Sequence, residues 1–157
     1  MAGHNFISDI ELDEKSVIRR SPQVEHERKV AIFDLLEENS FSLRNGNAGP
    51  YQLKLRIEDN RLIFDLRDGN NQYLSDISLP IRAFRRIVKD YFLICDSYFE
   101  AIKTKAPSQI EAIDMSRRGL HNEGADLLQE RMAEHVDMDM QTARRLFTLI
   151  CVLHIRA

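Results

Sequence analysis

The chain has 157 residues, 43% hydrophobic and 30% charged, with a formal charge of −3. That composition excludes a disordered, fibrous or repetitive chain and describes one soluble domain, long enough to fold without metal or disulfide staples. The negative balance disfavours general binding to a phosphate polyanion, because such binding rests on a positive field.

Phe6, Ser8, Ile10 and Leu12 alternate with Ile7, Asp9 and Glu11, a period of two that predicts a strand over about 5–12. Ser21 followed by Pro22 is an N-cap with proline at the first helical position, so a helix is expected over 22–38. The loop cluster Asn45 to Pro50 leads into three alternating runs, about 51–57, 61–67 and 73–79, separated by the turn-forming Glu58-Asp59-Asn60 and Asp68-Gly69-Asn70-Asn71. These predict an antiparallel meander with one packed and one wet face.

From Pro80 the period becomes helical. Phe84, Val88, Tyr91, Cys95, Tyr98 and Ile102 recur every three or four residues, which predicts a deeply packed helix over 81–104. A third helix is expected over 109–134 and a fourth over 140–155, capped by Asp137 or Asp139. Leu146 to Ile155 is apolar nearly all round, so the fourth should lie centrally in the helical layer, and it is about half the length needed to span a bilayer. The expected architecture is a single α+β domain over 1–157. A small antiparallel sheet, made of the N-terminal strand and the meander, packs against long C-terminal helices.

Cys95 and Cys151 sit in matching apolar contexts and form no Cys-x-x-Cys pair, which predicts buried free thiols. Met1 to Asp13 has no basic region followed by an apolar core, and the expected compartment is the reducing cytoplasm. His26-Glu27 opens like a zinc-protease helix, but Val30 stands where the second histidine would be. Asp137 and Asp139 fall short of a calcium loop. No phosphate-binding glycine loop or nucleophile elbow occurs. No metal, cofactor or catalytic residue is therefore assigned.

The chemistry-rich stretch is Asp114 to Gly124. On a helix, Asp114, Arg118, His121 and Ala125 share one face, where an acid, a guanidinium and an imidazole could clamp an anion. Arg117 falls in the apolar register of Ile110, Ile113 and Leu120, where it must snorkel or find a buried partner. Gly119 and Gly124 each cost about 1 kcal/mol in a helix, so a close neighbour is expected to compensate. The chain holds sixteen Arg and six Lys, and three arginine pairs, Arg85-Arg86, Arg117-Arg118 and Arg144-Arg145, lie on successive predicted helices. Convergence of such pairs would make a phosphate or carboxylate pocket. The candidate binding residues are Arg117, Arg118, His121, Asn122, Glu123, Arg85, Arg86 and Arg145.

Val24-Glu25-His26-Glu27-Arg28, Phe84-Arg85-Arg86, Lys89-Asp90-Tyr91-Phe92, Arg117 to Gly124 and Thr142 to Phe147 carry a resemblance. Over nearly its whole length the chain resembles a family of small uncharacterised bacterial proteins. The resemblance implies a bacterial cytosolic protein and transfers no catalytic residue. The pattern departs at Ala83, where relatives carry proline just before Phe84, which leaves the start of the long helix open by about a turn.

Two functions from different classes fit these residues. The leading expectation is a non-enzymatic interaction or regulatory module that binds another protein through the polar rim around Arg118, His121 and Asn122, together with the Glu25-to-Arg28 turn. The alternative is an enzyme or sensor of a small phosphorylated or carboxylated metabolite. In that reading Arg117 and Arg118 act as anion donors, His121 as acid/base and Glu123 as its orienter. RNA binding through the basic 81–106 segment ranks below both, because its aromatics belong to the core stripe.

Overall fold

A computed structural model describes residues 5–13 and 21–154. In chain order the elements are β1 (Ile7–Leu12), α1 (Pro22–Glu37), β2 (Phe41–Leu43), β3 (Tyr51–Glu58), β4 (Arg61–Arg67) and β5 (Tyr73–Pro80). They are followed by α2 (Arg82–Thr104), α3 (Pro107–Met132), β6 (Val136–Met138) and α4 (Met140–His154). The class is α+β.

The four-stranded sheet runs β1-β3-β4-β5. The meander is antiparallel, and Asp59 and Asn60, both at positive φ, form the two-residue turn that joins the paired Glu58 and Arg61. The expectation of an all-antiparallel sheet is corrected at one edge, where β1 lies parallel to β3. The reason is topological: α1 and β2 carry the chain back before β3 begins, and that crossover lets both strands point the same way. Tyr51, Leu53, Leu55, Leu62, Phe64, Leu66, Ile77 and Leu79 are buried on the packed face. On the other face Asp65 pairs with Arg56 at 3.7 Å and Arg67 at 3.3 Å.

A second, two-stranded sheet joins β2 to β6, antiparallel. It was not expected, since three residues are too few to display a period. It also ends α3 at Met132, two residues short of the predicted boundary, because Val136 must pair with Leu43. α2 starts at Arg82, directly after β5 closes at Pro80, which settles the open turn. Asp139 accepts from the Thr142 N–H at 2.9 Å and caps α4, whereas Asp137 turns outward to Arg44.

α4 packs between α1 and α3, α2 packs on α3, and Tyr91 of α2 reaches the Phe147 ring of α4 at 5.9 Å. Leu146 to His154 are all buried, so the central placement expected from their continuous apolarity is what the structure has. Among the described residues no helix is long and apolar enough to cross a membrane.

Candidate functional site

α1, α3 and α4 carry polar side chains inward along part of their length, and there the helical layer does not close. A cleft of about 570 Å³ is lined by His26, Glu27, Val30, Ala31 and Asp34 of α1, and Tyr91 of α2. Arg117, Arg118, His121 and Asn122 of α3 and Gln141, Arg144, Arg145 and Thr148 of α4 complete it.

One wall is an ion-paired arginine couple. Asp114 Oδ1 accepts from Arg117 Nε at 3.1 Å and Nη2 at 2.6 Å, and its Oδ2 lies 2.7 Å from Arg118 Nη2. The Arg117 hydrogen bond holds the Asp114 carboxyl below the usual carboxylate range, with burial working against it. Arg117 also lies 3.8 Å from Glu27 and 4.6 Å above the Tyr98 ring. These contacts supply the partner that its apolar register demanded. Burial raises the Glu27 carboxyl, and Arg117 and His26 act in the opposite sense.

The opposite wall is different. Arg144 Nε donates to Asn122 Oδ1 at 2.8 Å and Arg145 Nη1 donates to the Glu38 carbonyl at 2.9 Å. Among the described residues neither forms an ion pair. A guanidinium has five N–H donors, so most of theirs stay unused by protein acceptors.

His121 lies at the cleft's back, with its ring centroid 5.4 Å from Tyr91 and 5.7 Å from Phe147. Its Nε2 is 2.8 Å from Thr148 Oγ1, and Thr148 donates its one hydroxyl hydrogen to the Arg144 carbonyl at 3.3 Å. The assignment that satisfies both contacts makes Nε2 the protonated nitrogen and leaves Nδ1 as an acceptor. Burial, then Arg144 and Arg117, lower the His121 pKa to about 4, so the ring is neutral at pH 7. Gly124 meets its expected neighbour: a Cβ there would lie 2.3 Å from the Phe147 ring. Gly119 faces open space, and nothing in the structure explains it.

Of the residues singled out from sequence, Arg117, Arg118, His121, Asn122 and Arg145 line the cleft, and Glu123, Arg85 and Arg86 do not. Glu123 is exposed; two positions from His121 on one helix it points elsewhere, and Thr148 orients the ring instead. Arg86 pairs with Asp90 in solvent, and Arg85 lies on the exposed side of α2. Tyr91 and Thr148 lie outside what sequence reasoning singled out, Glu27 entered only within the Glu25-to-Arg28 turn, and Arg144 only as the neighbour of Arg145. A signal for Glu27 existed, because it shares the spacing of Val24, Ala31 and Leu35, the inward face of α1. Among the described residues no group of three His, Cys, Asp or Glu side chains gathers as a metal site requires.

Fold and cleft define an α+β protein whose helical layer holds an arginine-lined pocket. The chain belongs to the uncharacterised protein family UPF0262, whose model matches residues 4–156. It is 61% identical over 152 residues to a UPF0262 protein of Rhodospirillum rubrum, covering 97% of this chain and 94% of the relative. It is 59% identical over 150 residues to one of Paramagnetospirillum magneticum, covering 96% of each. A Cereibacter sphaeroides relative is 56% identical over 155 residues, 96% of this chain and 98% of its own. No solved structure matches the chain.

Proposed function

We propose that the cleft binds a small anionic ligand, a carboxylate or phosphate ester, in the bacterial cytoplasm. One observation carries the reading: Arg117 and Arg118 from α3 and Arg144 and Arg145 from α4 border a single concave volume. The first pair is held by Asp114, with Glu27 beside Arg117, and the second, with no carboxylate partner among the described residues, retains free donors. A guanidinium fork matches the two oxygens of a carboxylate or phosphate, and partial burial strengthens that contact over its value in water. Asn122 orients Arg144 as a second-layer support, and neutral His121 offers Nδ1 to a ligand hydroxyl or amide. Binding is assigned rather than turnover, because an imidazole with a pKa of about 4 is a poor proton carrier near neutral pH. The two buried free thiols, Cys95 and Cys151, support a reducing compartment.

Thermal unfolding against a panel of phosphorylated and carboxylated metabolites tests the reading. A ligand at 100 times its Kd adds about 2.7 kcal/mol. Arg144→Gln should weaken that ligand by tenfold or more, since a hydrogen bond to a charged group contributes about 1.5–3 kcal/mol. No shift with any anion would sink the proposal.

A second reading, a regulatory module docking another protein, draws support from α1, where Val30, Phe33 and Leu36 are 42%, 65% and 39% exposed. Its mark would be a stoichiometric partner that Phe33→Glu releases and Arg144→Gln does not.

A further inference from the structure

Beside the arginine cleft lies a second cavity of about 220 Å³ between α1, α2 and α4. The two share Glu27, Tyr91 and Thr148, so they meet across three side chains. The second cavity differs in chemistry. Its walls include Val24, Phe92, Cys95, Phe99, Cys151 and Val152, and Asp96, Glu100 and Lys103 also border it.

We propose that the ligand is amphipathic, with an anionic head held by Arg144 and Arg145 and a phenyl ring or short alkyl chain seated among Phe92, Phe99 and Val152. The inference rests on the anion-binding reading and adds the ligand's other half. Protein interiors pack to the density of organic crystals, and an apolar void leaves its lining without contact partners. An apolar cavity of about 150 Å³ is enough to hold benzene, so this one has room for a ring. Polarity fixes the orientation. The Glu27 carboxylate at the partition repels a second anion, while the two guanidiniums of the cleft without a carboxylate partner among the described residues, Arg144 and Arg145, lie on the α4 side. The Cys95 and Cys151 thiols, both pushed up by burial, act as small apolar wall groups rather than nucleophiles.

Chemical-shift titration of the ¹⁵N-labelled chain with acetate, phenylacetate, octanoate and benzyl alcohol separates the outcomes. Phenylacetate should bind at least tenfold more tightly than acetate, with shifts at both Arg144 and Phe99, and benzyl alcohol should bind more weakly than phenylacetate. Val24→Phe, which fills the apolar cavity from its half-buried edge, should cost phenylacetate tenfold and leave acetate unchanged. Should that variant fail to fold, Phe99→Ala provides the check, because enlarging the cavity should move preference from phenylacetate toward octanoate. Equal affinities for acetate and phenylacetate would overturn this inference and leave the anion reading standing. Failure of every anion, with or without binding of benzyl alcohol, would remove both.

Discussion

Two regions of the molecule use polar side chains in opposite ways. At the seam of β1, α1 and β2 the buried Asn39 and the Tyr51 hydroxyl close on partners. Asn39, 4% exposed, donates to the carbonyls of Ile7 at 2.9 Å and Leu35 at 2.7 Å, and accepts from the Ile7 N–H at 2.7 Å. The Tyr51 hydroxyl donates to Asn47 O at 2.6 Å and accepts from Leu43 N–H at 3.1 Å. Between α1, α3 and α4, by contrast, guanidiniums line a void with donors unspent. The closed seam commits its polar groups to the backbone, while the cleft keeps guanidinium donors that no protein acceptor among the described residues takes.

Breaking the closed seam should have the largest effect. Asn39→Ala strands three buried backbone groups, each worth about 1–3 kcal/mol, so urea unfolding should report a loss of roughly 3 kcal/mol or more. A loss below 1 kcal/mol would deny the seam its structural role.

Next is pH. His121 and His154 have pKa values lowered to about 4, chiefly by burial, against about 6.5 unfolded. Between those values the unfolded chain binds more protons, so stability is complete above pH 6.5 and falls as pH drops toward 4. Glu27, raised by burial, opposes this at the acid end, because its folded form holds its proton longer. His154, whose Nε2 has no hydrogen-bond partner among the described residues, accounts for about 2 kcal/mol of the loss between pH 7 and 5. His154→Leu should flatten the unfolding midpoint across that interval, and parallel curves for both proteins would count against the assignment.

Gly124→Ala sharpens the contrast within α3. The added methyl gains about 1 kcal/mol of helix propensity but overlaps the fully buried Phe147 ring, and overpacking costs about 1–3 kcal/mol. A net loss of about 1 kcal/mol is expected by calorimetry, with Gly119→Ala stabilising instead. The smallest effect belongs to Arg86→Ala. Its side chain is 95% exposed and its 3.9 Å pair with Asp90 is solvated, so stability should move by under about 0.5 kcal/mol and anion affinity should not move at all.

Much of the fold was legible because its elements carry strong periods. The alternation of Tyr51, Leu53 and Leu55 and the stripe from Phe84 through Cys95 needed no tertiary information. β2 and β6 were illegible because each exists only through the other. Within the site, the 114–121 helical face was readable as spacing, and so was the unusual register of Arg117. That Arg144 shares a cleft with Arg117 was not, since which member of a pair turns inward depends on how α3 and α4 are rotated against each other.

The order and kind of the long elements, the burial of α4 and the need of Arg117 for a partner follow from local periodicity and desolvation, which act within one segment. The parallel run of β1 along β3, the Phe147 ring in the notch at Gly124 and the meeting of two of the three arginine pairs in one cleft arise at the tertiary level. Those outcomes depend on packing between segments distant in sequence, and no local pattern encodes the angle at which helices meet.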